Sequence, residues 1–227
     1  MGTVFITGID GVIGSILRER LSPHATVKGV DFPDDLTEDP RLTERLGEVD
    51  TVIHLARERE PPGVPEGRVN PSNVRIDTNV FAAVIEAGVK RLVLASSVHA
   101  DNFRSTAVNY PLQAPGSYFP ATPYGTYKLL AEEVGATLAQ RFGFEFVAIR
   151  LGGVTRSDSP KSGEGKSATW LSHRDLYGAF AACLADAPVP GRTTVFYAVS
   201  ANAESIHDTI NPFGWEPVDD SAHVKAR

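Results

Sequence analysis

A chain of 227 residues has room for one domain, or one with a small appendage, at roughly 100–200 residues per domain. Its 42% apolar and 22% charged residues can build a core and exclude disordered and collagen-like chains. A formal charge of −6 provides no general field for phosphate backbones, so nucleic acid is not an expected partner.

Met1–Ile6 reads as the start of a strand rather than a basic leader. Gly2 is followed by Ile6 where a myristoylation signal wants Ser or Thr. No apolar stretch approaches the roughly 18–20 residues of a membrane span. The single cysteine, Cys183, lies in an apolar run where it reads as a small core residue, which leaves no disulfide framework or Cys-based zinc site. No two histidines share metal-ligand spacing on one element, so no metal is expected. A reducing, cytoplasmic location with no membrane partner follows as the expectation.

In chain order, strand Thr3–Thr7 precedes a helix over Val12–Leu21, with Ile13, Ile16, Leu17 and Leu21 at helical spacing. Val27–Asp31 and Thr51–Leu55 read as the second and third strands. Asn70-Pro71, a cap followed by proline at the first helical position, opens a helix to about Ala87. Arg91–Ser96 is a fourth strand, Thr122-Pro123 opens a helix to about Phe142, and Glu145–Arg150 is a fifth strand. Ser172 and Asp175 form a capping-box pattern for a helix to Ala185, Thr193–Val199 reads as a last strand, and Phe213–Pro217 as a turn. Segments 57–69 and 98–121 are long loops, of the size that usually carries function.

Continuous apolar strands alternating with helices predict an α/β fold of Rossmann type, a doubly wound parallel sheet with helices on both faces. Residues 1–151 are expected to hold the dinucleotide-binding core and the catalytic residues. Residues 152–227 are expected to supply a small substrate-binding segment and the last strand of the same domain.

Four signals carry chemistry. Thr7-Gly8-Ile9-Asp10-Gly11-Val12-Ile13-Gly14 joins a strand to a helix with glycines that let the backbone approach a pyrophosphate at the helix N-terminus. Asp31 stands 23 residues after Gly8, near the ~20 at which an acid meets the adenosine ribose hydroxyls. Phe32-Pro33 follows it rather than a cation, so NAD is expected over NADP. Tyr124 and Lys128 share a helix face at i, i+4, and none of the other five tyrosines has lysine four residues on. A phenol titrates near pH 10, and a neighbouring ammonium favours its ionised form, as a base requires.

The third signal is Ser96-Ser97 at a strand's carboxyl end, where open α/β sheets bind ligands. The fourth is Asn73, a polar amide on the apolar stripe of Ile76, Val80, Ala83, Val84 and Ala87, which needs buried partners. His99 lies two residues past Ser97, within reach of a substrate, whereas His173 at a helix start reads as structural.

Together these residues, with Asp35-Leu36, His54-Leu55-Ala56 and Glu86–Arg91, resemble the extended short-chain dehydrogenase/reductase superfamily, of the NAD-dependent epimerase/dehydratase type. The resemblance implies that Gly8, Asp10, Gly11, Val12, Ile13, Gly14, Asp31, Asp35, Leu36, Leu55 and Ala56 hold NAD. It implies Tyr124 as catalytic acid/base, Lys128 on the nicotinamide ribose, Ser97 on the substrate oxygen, and Asn73 as support for the lysine and a proton-relay water.

Ser96–His99, Arg150–Gly153, Ala168–His173, Ser200–Ala203 and Gly214–Pro217 are most similar to the uronate dehydrogenases, which oxidise C1 of a hexuronate. Ser97-Val98-His99 stands where that family has Ser-Asn-His. The arginine it uses for the substrate carboxylate falls near Gly165, with Lys166 adjacent and Lys161 and Arg156 upstream. Ser97, Val98, His99, Tyr124, Gly153 and Lys166 are therefore the expected substrate contacts. The implied reaction is NAD-dependent oxidation of a small anionic sugar, a hexuronate or a sugar phosphate, by a homodimer formed through the two long helices.

The alternative within the superfamily is a nucleotide-sugar epimerase or dehydratase. That chemistry calls for a large C-terminal lobe, and 77 residues follow Arg150. A dinucleotide-sensing regulator is the non-enzymatic alternative, and it has no use for Ser97, Tyr124 and Lys128 together.

Overall fold

The central strands are buried along both faces, so the sheet they form must be covered on both sides. The computed structural model describes residues 2–31, 35–58, 69–101, 111–116, 119–162 and 167–224. In chain order the elements are β1 (Thr3–Thr7), α1 (Val12–Leu21), β2 (Thr26–Val30), α2 (Leu42–Arg45), β3 (Thr51–His54), α3 (Pro71–Glu86), β4 (Arg91–Ser97), α4 (Pro123–Phe142), β5 (Glu145–Leu151), α5 (His173–Ala185) and β6 (Thr193–Ala198). Single 3₁₀ turns follow at Val98–Ala100 and Ser221–His223.

Among the described residues the six strands form one parallel sheet in the order β2-β1-β3-β4-β5-β6. The chain passes from β1 to β2 on one side and later resumes at β3 on the other. A crevice therefore opens at the carboxyl ends of β1 and β3, the place where such sheets bind ligands.

Successive strand residues point to opposite faces, and the two cores divide accordingly. Ile6, Ile53, Val93 and Ile149 pack with Leu17 and Leu21 of α1 and Leu176 and Phe180 of α5. Phe5, Val52, Leu92 and Phe146 pack with Val80 and Phe81 of α3, Ala131 and Ala139 of α4, and Leu42 of α2. Burying one such leucine or isoleucine contributes about 1.5–3 kcal/mol.

The structure corrects the sequence reading at element ends. β2 begins one residue earlier than expected and ends at Val30, and β3 stops at His54 rather than Leu55. β4 and β5 each extend one residue further, because Ser97 and Leu151 still pair across the sheet. The four-residue α2 escaped the periodicity, being too short to show any.

α5 and β6 belong to the same core as the elements before them: β6 pairs with β5, and α5 packs beside α1. Ser172 caps α5 as expected, accepting from the Asp175 N–H at 3.0 Å. The Asp175 carboxylate instead takes the Ser200 hydroxyl at 2.6 Å and the N–H groups of Val218 and Asp219 at 2.9 and 3.0 Å. It thereby ties the C-terminal segment to the helix start. Among the described residues no helix is long and apolar enough to cross a membrane.

Candidate active site

The turn after β1 is shaped by its glycines. Gly8 has φ +76°, in the left-handed region, and a Cβ there would stand 3.0 Å from the Ala56 nitrogen. A Cβ on Gly14 would meet the Gly8 carbonyl at 2.1 Å, so only glycine lets α1 start this close to the turn. The other long helices each carry a side-chain cap, from Asn70, Thr122 and Ser172. α1 begins at Gly11 with none, which leaves the N–H groups of Val12, Ile13 and Gly14 directed at the crevice. This is a cradle for a pyrophosphate, and the residues present fit a dinucleotide.

Asp31 follows β2 directly, and its carboxylate accepts the Asp10 N–H at 2.7 Å. The Asp10 side chain pairs with Arg18, which fixes the loop from the helix side. Asp35 is exposed, and its carboxyl is held below the usual carboxylate range by the Thr37 hydroxyl and N–H. Leu36 is buried in the α3 side of the core, with its carbonyl accepting from Asn79 at 2.9 Å. Leu55 and Ala56 lie at the end of β3, and their N–H groups donate to the Thr7 hydroxyl oxygen at 3.2 Å each.

The second half of the site gathers at the carboxyl end of β4. The Ser97 hydroxyl accepts the His99 N–H at 3.2 Å, shaping the 3₁₀ turn. α4 starts hard against this turn: a Cβ on Gly125 would be 1.9 Å from the His99 carbonyl. That approach brings Tyr124 beside His99, with ring centroids 6.0 Å apart in an edge-on arrangement. One helical turn on, Lys128 is buried and donates to the Ala95 carbonyl at 2.8 Å. A cavity of about 130 Å³ opens here, lined by Ser97, Val98, His99, Gly153, Lys161 and Thr169, among others.

Two placements differ from the resemblance. Asn73 was expected to support Lys128, but its carboxamide is 2% exposed and occupied with the Glu58 backbone, accepting the N–H at 2.8 Å and donating to the carbonyl at 3.1 Å. It pins the segment after β3. Val98 touches the cavity, yet its side chain is buried with Leu112, Tyr197 and Val199. Lys166, and the Gly165 position beside it, lie outside the described residues. His173 is structural, as expected: its Nε2–H donates to the Thr155 carbonyl at 2.7 Å, and its backbone N–H to Asp158 at 2.7 Å. Among the described residues no group of His, Cys, Asp or Glu is arranged for a metal ion.

The sequence reading missed Arg57, whose guanidinium lies 4.6 Å above the Tyr124 ring. It also missed the buried support under the helix. Glu132 of α4 accepts from Arg150 at 2.8 Å and from the Ser96 hydroxyl, and Arg150 reaches the Tyr197 hydroxyl at 3.0 Å. A buried charge in a sequence must have a partner, but spacing does not say which.

A family model described as the NAD dependent epimerase/dehydratase family matches residues 4–155. The chain is 28% identical to the L-arabinose 1-dehydrogenase (NAD(P)(+)) of Haloferax volcanii, over 99% of each chain. It is also 28% identical to the NAD-dependent glucose-6-phosphate dehydrogenase of that organism, over 96% of this chain and 94% of the relative. The solved glucuronic acid dehydrogenase of Chromohalobacter salexigens is similar with a TM-score of 0.76 at 26% identity, covering 97% of this chain and 85% of that one. The family match runs through both halves of the crevice, from β1 to just past β5, and the chain belongs to the NAD dependent epimerase/dehydratase family.

Proposed function

We propose that this protein is an NAD-dependent oxidoreductase that oxidises a hydroxyl of a small anionic sugar, at C1 of a hexuronate or a sugar phosphate. The observation that carries this reading is a small cavity at the carboxyl end of β4 lined by Ser97 and His99, with Tyr124 edge-on to His99 and Lys128 buried one helical turn further on.

NAD, when bound, supplies a hydride acceptor. In the proposed reaction Tyr124 takes the hydroxyl proton, Ser97 steadies the substrate oxygen, and Lys128 would hold the nicotinamide ribose. The turn from Gly8 to Gly14 holds the pyrophosphate, Asp31 the adenosine ribose, and Asp35, Leu36, Leu55 and Ala56 line the rest of the cofactor's path. The segment 152–227 contributes Gly153 and Lys161 to the sugar. The working form is a cytoplasmic homodimer through the outer faces of α3 and α4, where Leu130 is 50% exposed; sedimentation of the purified protein reads its mass directly.

Two outcomes are expected from these assignments. Titration should give at least about a tenfold preference for NADH over NADPH, about 1.4 kcal/mol, because Asp31 faces a 2′-phosphate with like charge. Asp31→Ala should weaken NADH binding and narrow that preference; tighter binding of NADPH by the unaltered protein would overturn the assignment.

The second outcome concerns substrate charge. Lys161 lines the cavity and Arg57 stands over Tyr124, so kcat/KM for glucuronate, galacturonate or glucose 6-phosphate should exceed that for glucose. Lys161→Ala should reduce this advantage by roughly tenfold, one charge-assisted hydrogen bond. A lysine lacks the planar fork of an arginine, so discrimination between carboxylate and phosphate should be modest. Neutral glucose matching every anionic sugar would end this reading of the substrate.

A further inference from the structure

Beneath the site, four buried side chains form a continuous line from the nucleotide turn to the helix that carries Tyr124 and Lys128. Thr7 is fully buried, and His54, Asp77 and Tyr127 are at most 5% exposed. The Thr7 hydroxyl oxygen accepts two N–H groups, from Leu55 and Ala56, at 3.2 Å each. The Leu55 N–H is shared with the Thr7 carbonyl at 3.1 Å, and the Thr7 hydroxyl lies 2.7 Å from His54 Nδ1, to which it donates when the ring is neutral. That makes His54 the Nε2–H tautomer, and this N–H donates to Asp77 Oδ1 at 2.9 Å. The other carboxylate oxygen accepts the Tyr127 hydroxyl at 2.6 Å.

With a neutral His54, the anion at the centre sets these directions. Burial opposes the Asp77 carboxylate, but the His54 hydrogen bond and electrostatic attraction, the nearby Lys128 charge and the Tyr127 hydrogen bond outweigh it, and its pKa stays below the ordinary value. The Tyr127 phenol is pushed up by burial and by Asp77, which keeps it a donor. The Lys128 ammonium stands 5.5 Å from the Tyr127 ring centroid. Tyr127 therefore anchors the helical turn between the proposed acid/base and the proposed ribose ligand. Thr7, at the other end, holds the backbone of Leu55 and Ala56 against Gly8.

We propose that Asp77 is a positioning residue that couples the two halves of the site: one buried carboxylate orients both the cofactor-binding turn, through His54 and Thr7, and the Tyr124–Lys128 turn, through Tyr127. The catalytic half of this inference rests on the function proposed above, while the cofactor half rests on NADH binding alone.

Nearly isosteric variants test it without emptying the core: Thr7→Val, Thr7→Ser, Tyr127→Phe and the double variant Thr7→Val/Tyr127→Phe. The readouts are NADH affinity by fluorescence titration, kcat and sugar KM, and thermal midpoint. Thr7→Val and Tyr127→Phe should each lower kcat and NADH affinity by about tenfold, with sugar KM changed by less than about twofold. The two side chains do not touch, yet the double variant should lose no more than the worse single one, and Thr7→Ser should restore NADH affinity. Losses that multiply in the double variant, or variants that lower only the thermal midpoint, would overturn the coupling. If no sugar is oxidised by the unaltered protein, the function reading fails. The same double-variant cycle on NADH affinity then still decides the coupling.

Discussion

Tyr124→Phe is expected to lower turnover by roughly 10²–10⁴-fold, the usual contribution of a positioned acid/base, while NADH binding and the fold persist. The reason lies in what the substitution leaves in place. The ring keeps its edge contact with His99 and remains under the Arg57 guanidinium, so only the proton acceptor is lost and no cavity is made. Lys128→Ala should behave differently, because that side chain is buried and holds the Ala95 carbonyl. It should lower both turnover and NADH affinity, with some loss of stability. NADH formation followed by absorbance, alongside NADH titration and a thermal scan, separates these effects. A Tyr124→Phe protein that keeps more than about a tenth of turnover would show that another group moves the proton.

The largest stability effect is expected at Glu132 and Arg150. Arg150 is fully buried; its Nε and Nη2 donate to Glu132 at 3.0 and 2.8 Å, and Nη1 donates to Tyr197 at 3.0 Å, with Asp101 3.8 Å away. Burial works against the guanidinium charge, and the Glu132 carboxylate more than restores it, so its pKa stands above the ordinary value. Glu132→Ala removes that compensation and leaves a buried cation, which costs about 3–5 kcal/mol. At about 2–4 °C per kcal/mol for a chain of this size, the thermal midpoint should fall by roughly 10 °C.

The double variant Glu132→Leu/Arg150→Met should recover only part of the loss, because it removes both desolvation penalties of the pair but leaves the buried Asp101 without its cation. A double variant as unstable as Glu132→Ala would mean that α4 depends on the shape of the pair rather than its charge. The same pair presses α4 against β5 and takes the Ser96 hydroxyl, next to Ser97. Loss of the pair should therefore also reduce activity at temperatures where the protein is still folded.

The sequence by itself determined the elements other than α2, and their order, since the signals that do this are local. Asn70-Pro71 and Thr122-Pro123 start α3 and α4 where their side chains accept from Ser72 and Gly125, and a cap acts within one helical turn. Continuous apolar strands required a sheet buried on both faces, and the glycine turn with Asp31 marked the crevice.

Only the tertiary structure decided which buried polar groups meet. Asp175 looked like half of a capping box and instead receives Ser200, Val218 and Asp219. Asn73 needed buried partners, and the fold supplies the backbone of Glu58. Asp77 and Tyr127 read as one more acid and one more aromatic until α3 and α4 set them 2.6 Å apart. Arg57 follows His54-Leu55-Ala56 without any spacing that links it to Tyr124, and only the fold lays the cation over that ring. A buried donor, acceptor or charge must be satisfied, so each residue type shows that a partner exists. The partner's identity depends on how distant segments cross, and sequence separation carries no record of that.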